Sequence, residues 1–515
     1  MSASASVEIG TTGIGADEVI AVARLGAGVA IAPDAVAEMR RTRAIVDALG
    51  SRPEPAYGVS TGFGALATRF IPPEQRAVLQ QRVIRSHAAG SGEPVETEVV
   101  RAAMTLRLKT MCSGHTGVRP EVAQAYAAML NASITPLVPE FGSLGCSGDL
   151  APLAHCALAA TGEGEAVGPD GVVRPAAALL AEAGITPLHL EAKEGLSLIN
   201  GTDGMLGMLI LAVEDLRALA TACDVAAAMS VEALLGTDQV FKPEFHAGLR
   251  PHPGQRESAA NLVALLGGSA IMASHRTGDD RVQDAYSLRC APQVTGALRD
   301  TVAHAAAVAA RELASSIDNP VVLDNGAVES NGNFHGAPLA YALDFLAIAT
   351  ADSASIAERR TDRLLDPTRS AGLPAFLAED PGVDSGLMIA HYTQASLVAA
   401  MKRLAVPASV DSIPTSAMQE DHVSMGWAAG RKLRRSIDHL RQVVAIEALA
   451  GARALELRAP LAPAPGTAAA ATVVRAVAGG VGPDRVVAPD LVAACAVVAD
   501  GGLVAAATRA VGALA

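Results

Sequence analysis

The chain has 515 residues, of which 40 are Lys or Arg and 53 are Asp or Glu, so its formal net charge is −13. Half of the residues are hydrophobic, which is typical of a globular protein with a substantial core. An acidic chain with a pI near 5.4 repels the phosphates of nucleic acids, and no basic cluster interleaved with aromatic residues offsets this repulsion. We therefore expect no nucleic-acid partner.

The composition favours helices. The chain contains only 8 Phe, 5 Tyr and 1 Trp, whereas Ala and Val are abundant, so the core must consist of small side chains on closely packed helices. After residues 1–15, which we interpret as a frayed tail, apolar residues recur at helical spacing in 16–26 and 33–50. Longer segments of this kind, with charges on one side, are Met205–Leu235, Leu339–Arg360, Leu387–Leu404 and Arg431–Arg458. The pattern predicts a bundle of long helices, followed by short helices in the last fifty residues.

Strand signals are scarce. Residues 164–175 carry the turn Pro169-Asp170-Gly171, and residues 320–330 place Asn325-Gly326 between two β-branched runs. Both segments predict short β-hairpins on a helical body. The expected fold is mainly α, a long-helix bundle with a few short β-hairpins.

Two features bear on the compartment. The first ten residues lack the basic and apolar regions of a signal peptide, and the uncharged stretches elsewhere are interrupted by polar residues or Pro, so we expect no membrane span. The six cysteines form no CxxC pair and no zinc-ligand spacing. Reduced thiols in the cytoplasm fit this usage best.

A glycine-rich loop, residues 139–149, runs directly into the apolar helical pattern LAPLAHCALAA. Asp149 is suited to cap that helix, and Pro152 is tolerated in the first helical turn. A flexible loop that leads into a helix is one interpretation. A phosphate cradle is another, although no GxGxxG follows a strand and no Lys follows the glycines.

The string GSLGCSGDLAPLAH, residues 142–155, resembles the active-site signature of the histidine and phenylalanine ammonia-lyase family. In that family an X-Ser-Gly tripeptide cyclises with loss of two waters and gives a methylidene-imidazolone (MIO) electrophile. The resemblance implies an MIO formed from Cys146, Ser147 and Gly148 at a helix N-terminus, with no external cofactor. The residue types suit this chemistry, because Gly lets its amide nitrogen bend back onto an earlier carbonyl and Ser has a side chain that can be eliminated. The positive end of the helix would favour negative charge on the ring.

Two motifs in the first hundred residues extend the resemblance. Tyr57 opens the run YGVSTGFG, and the family assigns this Tyr the role of the general base that removes the β-proton of the substrate. His87, in the run RSHA, aligns with a residue that contacts the substrate side chain. A neutral imidazole suits recognition of another imidazole, whereas relatives specific for phenylalanine carry an apolar residue there.

Further matches supply groups for the rest of the substrate. Asn200, in KEGLSLINGT, aligns with an Asn that holds the substrate and the MIO in place. Gln283, Tyr286 and Arg289 are three residues apart, so they share a face if the segment is helical. The family assigns Arg289 to the substrate carboxylate, which a guanidinium can bind in a bidentate manner, while Tyr286 and Gln283 would steady the reacting centre.

The last two motifs bear on specificity. Phe334, in NGNFHG, would line the substrate cavity, and Glu420 lies in QEDHVSM. Family members that act on histidine carry Glu at the latter position, and those that act on phenylalanine or tyrosine typically carry Gln. Glu420 also counts among the catalytic residues, and whether it or Tyr57 is the base stays open. Glu420-Asp421-His422 could also be a solvated turn or part of a metal site, but no second ligand set is spaced for it, so we expect no metal.

The resemblance implies an ammonia-lyase that converts L-histidine to trans-urocanate in histidine catabolism, as a cytoplasmic homotetramer with shared active sites and a small-molecule substrate. A phenylalanine or tyrosine ammonia-lyase or an aminomutase is the alternative within the family. A non-enzymatic helical scaffold is a third possibility, against which the presence of the expected reactive residues argues. Residues 58–62 also match the GxSxG of α/β-hydrolases, but SRPEPAY before them does not read as a strand.

The motifs are spread over most of the chain, so we expect one continuous catalytic unit. Within it, residues 1–200 would form the N-terminal region that carries the MIO loop. Residues 201–515 would form the central long-helix bundle and the C-terminal helices.

Overall fold

The chain folds into two compact units in a computed structural model that describes residues 6–50, 57–279 and 281–515. Unit 1 consists of Met1–Leu211, Ala305–Asp344 and Pro407–Arg431. Unit 2 consists of Ala212–His304, Phe345–Val406 and Lys432–Ala515. Each unit therefore combines stretches that are far apart in the sequence.

Helices dominate the described residues. In chain order they are α1 (Ala16–Arg24), α2 (Pro33–Gly50), α3 (Pro73–His87), α4 (Thr97–Cys112), α5 (Pro120–Asn131), α6 (Leu150–Ala160), α7 (Ala176–Glu182), α8 (Glu194–Ile199), α9 (Asp203–Ala233), α10 (Pro253–Leu266), α11 (Ala270–Ala273), α12 (Tyr286–Arg289), α13 (Ala291–Leu313), α14 (Ala337–Leu365), α15 (Met388–Leu404), α16 (Gly426–Glu456), α17 (Pro465–Val477), α18 (Ala488–Ala499) and α19 (Gly502–Val511). The four long periodic segments correspond to α9, α14, α15 and α16, so the prediction of a mainly α fold is confirmed.

The strands are short and pair in small sheets. They are β1 (Val7–Ile9), β2 (Val29–Ile31), β3 (Ser91–Pro94), β4 (Thr135–Pro136), β5 (Pro139–Phe141), β6 (Glu165–Val167), β7 (Val173–Pro175), β8 (Val321–Val322) and β9 (Val328–Glu329). The antiparallel pairs β6–β7 and β8–β9 are the two predicted hairpins. For residues 6–15 the interpretation as a frayed tail was wrong, because β1 pairs in parallel with β2 and buries Val7 and Ile9. Residues 1–5 lie outside the described residues.

The core of unit 1 is built around α4, which packs against α1 and α5 and buries nearly all of its side chains. Helices α3, α6 and α8 pack against one another in pairs. Small residues allow close approach here, since a Cβ placed on Gly207 would lie 3.0 Å from the Cβ of Ala102. The expected core of small side chains is thus present.

Unit 2 has a helical core in which α17 packs against α10, α18 and α19. Several of its buried charges are paired. The guanidinium of Arg360 bonds the carboxylate of Glu447, and that of Arg299 lies 2.7 Å from Asp224. Burial of a charge is costly, and in each pair the partner of opposite charge offsets part of that cost.

Two helical segments, Glu194–Ala233 and Ala337–Leu365, are long and apolar enough to cross a membrane by length and composition, and the bent pair α18–α19 passes the same criterion together. The most apolar part of the first segment is entirely buried inside the protein, and 61% of that of the second is buried. Length and composition alone therefore do not separate these helices from membrane spans, and the absence of a membrane span stays a prediction. Complete burial of the first window is typical of a helix in a protein core.

Candidate active site

The predicted tripeptide Cys146-Ser147-Gly148 lies on the loop between β5 and α6 in unit 1. Helix α6 begins directly after this loop and packs against α3 and α8. His87 is the last residue of α3, and Asn200 follows the last residue of α8. The packing of these three helices therefore groups three predicted site segments at helix ends.

Gly148 fits the loop because it has no side chain. Its φ is +75°, and a Cβ at this position would lie 2.1 Å from the carbonyl oxygen of Gly201. The next backbone amide, that of Asp149, donates a hydrogen bond of 2.8 Å to the same oxygen. The tripeptide loop thus rests directly on Gly201, and only glycine is compatible with this contact.

Asp149 precedes α6, but its side chain makes no capping bond to that helix. The carboxylate instead accepts hydrogen bonds of 2.9 Å from the amide of Met205, in the first turn of α9, and from the hydroxyl of Ser143. The prediction that Asp149 caps its own helix was wrong in this respect. Burial raises the pKa of the Asp149 carboxyl to about 7.

Glu420 reaches the tripeptide from a distant part of unit 1. Its Oε1 accepts a hydrogen bond of 2.9 Å from the hydroxyl of Ser147, and its Oε2 lies 3.5 Å from the sulfur of Cys146. Burial and the charge of Glu420 raise the pKa of the Cys146 thiol to about 11, so the thiol is protonated at neutral pH and acts as a donor. These contacts connect residues more than 270 positions apart.

Two backbone hydrogen bonds tie neighbouring loops to the tripeptide loop. The amide of Gly336 donates to the carbonyl oxygen of Gly145 at 2.9 Å, and the amide of Met425 donates to that of Leu144 at 2.9 Å. The first bond anchors the loop that carries the half-buried Phe334, and the second anchors the segment that follows Glu420. The structure therefore gathers the tripeptide, Phe334 and Glu420 loops in one place.

His87 has a defined tautomer. Its Nδ1 lies 2.8 Å from the carbonyl oxygen of Val83, and because a carbonyl only accepts, Nδ1 carries the proton. Burial lowers the pKa of His87, although the bond to Val83 and the charge of Glu420 oppose this shift. A neutral His87 therefore keeps Nε2 as a hydrogen-bond acceptor.

Asn200 is buried, and only one of the two polar atoms of its side-chain amide has a hydrogen-bond partner among the described residues. Its Nδ2 donates to the carbonyl oxygen of Asn319 at 3.5 Å, while its Oδ1 is buried without a hydrogen-bond partner among the described residues. A buried polar atom without a partner is costly unless a ligand or water satisfies it. The free Oδ1 therefore suits a substrate N–H, as the sequence motif predicts.

The segment Asp318–Pro320 connects several of these positions. The side-chain oxygen of Asn319 accepts hydrogen bonds of 2.9 Å from the hydroxyl of Ser330 and the amide of Asn331, which begins the Phe334 loop. Asp318 is buried and pairs with Lys193 at 2.7 Å, at the start of α8. This supporting pair was missed in the sequence, where the two residues are 125 positions apart and carry no motif.

Tyr57 lies on a turn that the same segment supports. Its hydroxyl accepts a hydrogen bond of 3.2 Å from the amide of Gly64. A Cβ on Gly58 would lie 2.9 Å from a methyl group of Leu196 and 3.1 Å from Pro320, so the turn packs tightly against α8 and the proline. Residues 51–56, which precede Tyr57, lie outside the described residues.

The remaining three predicted residues belong to unit 2. Tyr286 and Arg289 are the first and last residues of the short helix α12, and the Arg289 guanidinium carbon lies 4.8 Å from the centre of the Tyr286 ring. Gln283 precedes the helix on an exposed bend, so a common helical face includes only Tyr286 and Arg289. Tyr286 is 71% exposed, and the buried Nε of Arg289 has no hydrogen-bond partner in the described part of the chain.

Charged side chains are buried beneath Gly201. Arg107 donates to the carbonyl oxygen of Ile317 at 2.6 Å, and its Nε lies 3.5 Å from a carboxylate oxygen of Asp203. Burial lowers the pKa of the nearby Lys109 to about 8. Over the ranges 6–50, 57–279 and 281–515, no group of three or more His, Cys, Asp and Glu residues is arranged to hold a metal ion.

Comparison with known proteins identifies relatives along the whole chain. Residues 14–476 match the sequence profile of the aromatic amino acid lyases. The histidine ammonia-lyase of Streptomyces avermitilis is 66% identical over 99% of this chain and 100% of its own length. Among solved structures, a tyrosine aminomutase from Streptomyces globisporus superposes with a TM-score of 0.93 at 35% identity, covering 99% of this chain and 100% of its own. The histidine ammonia-lyase of Trypanosoma cruzi gives a TM-score of 0.89 at 39% identity, covering 98% and 96%.

Proposed function

The chain belongs to the aromatic amino acid lyase family, and from this premise we propose that it eliminates ammonia from L-histidine to give trans-urocanate. The observation that carries the substrate assignment is the hydrogen bond between Glu420 and Ser147, which puts a carboxylate at the tripeptide loop. A carboxylate there can accept a hydrogen bond from an imidazole N–H, whereas a phenyl ring offers none. Three relatives that are 64–66% identical over 99% of the chain are named histidine ammonia-lyases.

We further propose that Cys146, Ser147 and Gly148 form the MIO group. The residues fit it, because Gly148 has a left-handed φ and no room for a Cβ, and the Ser147 hydroxyl lies against Glu420. When formed, the group supplies an electrophile that turns the substrate's amino group into a good leaving group. The N-terminus of α6 faces this loop, and its dipole stabilises negative charge there.

The imidazole of the substrate meets two acceptors, Glu420 and the Nε2 of His87. A neutral imidazole has one N–H, so only one acceptor takes it directly. A hydrogen bond to a charged carboxylate is the stronger of the two, and we assign the N–H to Glu420. His87 then lines the other edge of the ring, and Phe334 bounds the cavity.

The amino acid end of the substrate uses other residues. The free Oδ1 of Asn200 accepts from the amino group, and Tyr57 removes the β-proton. Arg289 binds the carboxylate, and its Nε, which has no hydrogen-bond partner in the described ranges, is consistent with a site that a ligand completes. Gln283 and Tyr286 steady the reacting centre.

We propose a cytoplasmic homotetramer with shared active sites and no association with membranes. All six cysteines are free thiols, which suits a reducing compartment. In unit 2, the large side chains Phe345, Ile348, Ile389 and Tyr392 are 47–67% exposed, and exposed apolar groups of this size are typical of subunit contacts. The exposed Tyr286 is accessible to a neighbouring subunit.

The test incubates the purified protein with L-histidine, L-phenylalanine and L-tyrosine in parallel and follows the ultraviolet absorbance of the conjugated product. Urocanate from histidine alone supports the proposal, whereas cinnamate or coumarate would refute the substrate assignment. A β-amino acid isomer of the substrate, separated by chromatography because it lacks the conjugated absorbance, would indicate an aminomutase. Intact mass reports the group separately: the wild type should weigh two waters less than its sequence, and Ser147→Ala should match its sequence.

A further inference from the structure

Glu420 lies at the end of a tight turn that begins at Thr415. The two residues exchange backbone hydrogen bonds, from the Thr415 amide to the Glu420 carbonyl at 3.0 Å and in the reverse sense at 3.3 Å. The hydroxyl of Thr415 also donates to Oε2 of Glu420 at 3.0 Å. Thr415 is therefore bonded to both the backbone and the carboxylate of Glu420.

The turn between them is strained. Ser416, Ala417 and Met418 have φ values of +53°, +52° and +69°, and none of them is a glycine. A Cβ makes the left-handed conformation unfavourable at each of these positions. Such strain persists only where surrounding contacts impose it, and it concentrates at functional sites. The bonds between Thr415 and Glu420 are the contacts that close this turn.

The two carboxylate oxygens of Glu420 have different donors. Oε2 accepts from Thr415 and faces the Cys146 thiol, whereas Oε1 accepts from Ser147. Formation of the MIO removes the Ser147 oxygen as water, so Oε1 loses its donor while Oε2 keeps both of its own. One oxygen of the carboxylate thus stays fixed, and the other becomes free on the side of the reacting loop.

From this geometry we propose that Thr415 is a positioning residue that holds Oε2 of Glu420, so that Oε1 is presented to the imidazole N–H of the substrate. The proposal deepens the proposed function and rests on it for the identity of the ligand. Thr415 contacts no reacting atom, and it acts through Glu420 alone. Its removal should therefore weaken recognition of the imidazole without preventing maturation of the tripeptide.

The test compares Thr415→Val, which removes the hydroxyl at nearly constant shape, with Thr415→Ser, which retains it. Thr301→Val is the matched control, since the Thr301 hydroxyl bonds only a backbone carbonyl on an exposed helix face. We expect Thr415→Val to lose two waters like the wild type but to raise KM for L-histidine and Kd for urocanate about 10- to 100-fold, with a smaller change in kcat. Thr415→Ser and Thr301→Val should stay within about 3-fold of the wild type.

A double-mutant cycle separates positioning from general damage. In a Glu420→Gln background, Thr415→Val should have little further effect on Kd, because the group that it orients has already changed. Unchanged binding by Thr415→Val, or a full and independent effect in the Glu420→Gln background, would overturn the proposal.

Crystal structures of the wild type and Thr415→Val give a readout that does not depend on the substrate. A rotated Glu420 carboxylate in Thr415→Val supports the positioning role, and an unchanged carboxylate overturns it. If the wild type fails to turn over L-histidine, the proposed function falls, while these two structures still decide the role of Thr415.

Discussion

Replacement of Gly201 by Ala tests whether the packing of the tripeptide loop on Gly201 stabilises the protein, and it leaves the sequence of the tripeptide unchanged. A Cβ on Gly201 would lie 2.4 Å from Oδ2 of Asp203 and 2.6 Å from Nη1 of Arg107. Both neighbours are buried and charged, so neither can swing into solvent. Overpacking of a buried site typically costs about 1 to 3 kcal/mol, and overlap with two fixed groups puts Gly201→Ala near the upper end, at about 3 kcal/mol.

Urea denaturation followed by tryptophan emission measures this loss, because Trp427 is the sole tryptophan of the chain and is buried in unit 1. Its indole N–H donates to the carbonyl oxygen of Glu140, on the strand that leads into the tripeptide loop. We also expect incomplete loss of the two waters by intact mass, since Gly148 and Asp149 rest on Gly201. Gly482→Ala is the control, because no atom lies within 4 Å of its added Cβ. Wild-type stability and full maturation of Gly201→Ala would refute the contact.

Three further predictions concern supporting residues. Lys193→Met leaves the buried Asp318 carboxylate without its cation and should cost about 3 to 5 kcal/mol in urea unfolding, and the addition of Asp318→Asn should restore part of that loss. Burial raises the pKa of the Asp149 carboxyl to about 7, so the folded state binds this proton more tightly than the unfolded state, and the stability that protonation contributes at low pH is lost as the pH rises through about 7. The free energy of unfolding of the wild type should therefore fall from about pH 5 to pH 7 relative to that of Asp149→Asn. Parallel pH profiles of the two proteins would contradict this prediction. Met418→Asn should raise the midpoint of urea unfolding by the equivalent of about 1 kcal/mol, because Asn tolerates the left-handed conformation, whereas Met418→Val should lower it.

The sequence by itself determined the helical class, the two hairpins and the family. Helical periodicity and turn residues are local signals, and α9, α14, α15 and α16 follow them closely. The tripeptide is recognisable for a chemical reason, since the cyclisation needs Gly and an eliminable side chain at adjacent positions. The roles of the site residues came from the resemblance, and those assignments stay predictions.

The tertiary structure decided what local patterns do not encode. The contact between Ser147 and Glu420, the pair formed by Lys193 and Asp318, and the capping of α9 by Asp149 join residues 56 to 273 positions apart. Thr415 has no sequence signal, because its importance depends on the distance of its hydroxyl from one carboxylate oxygen. Burial and pairing energies depend on which groups meet when distant segments pack, and that information exists only in the folded chain.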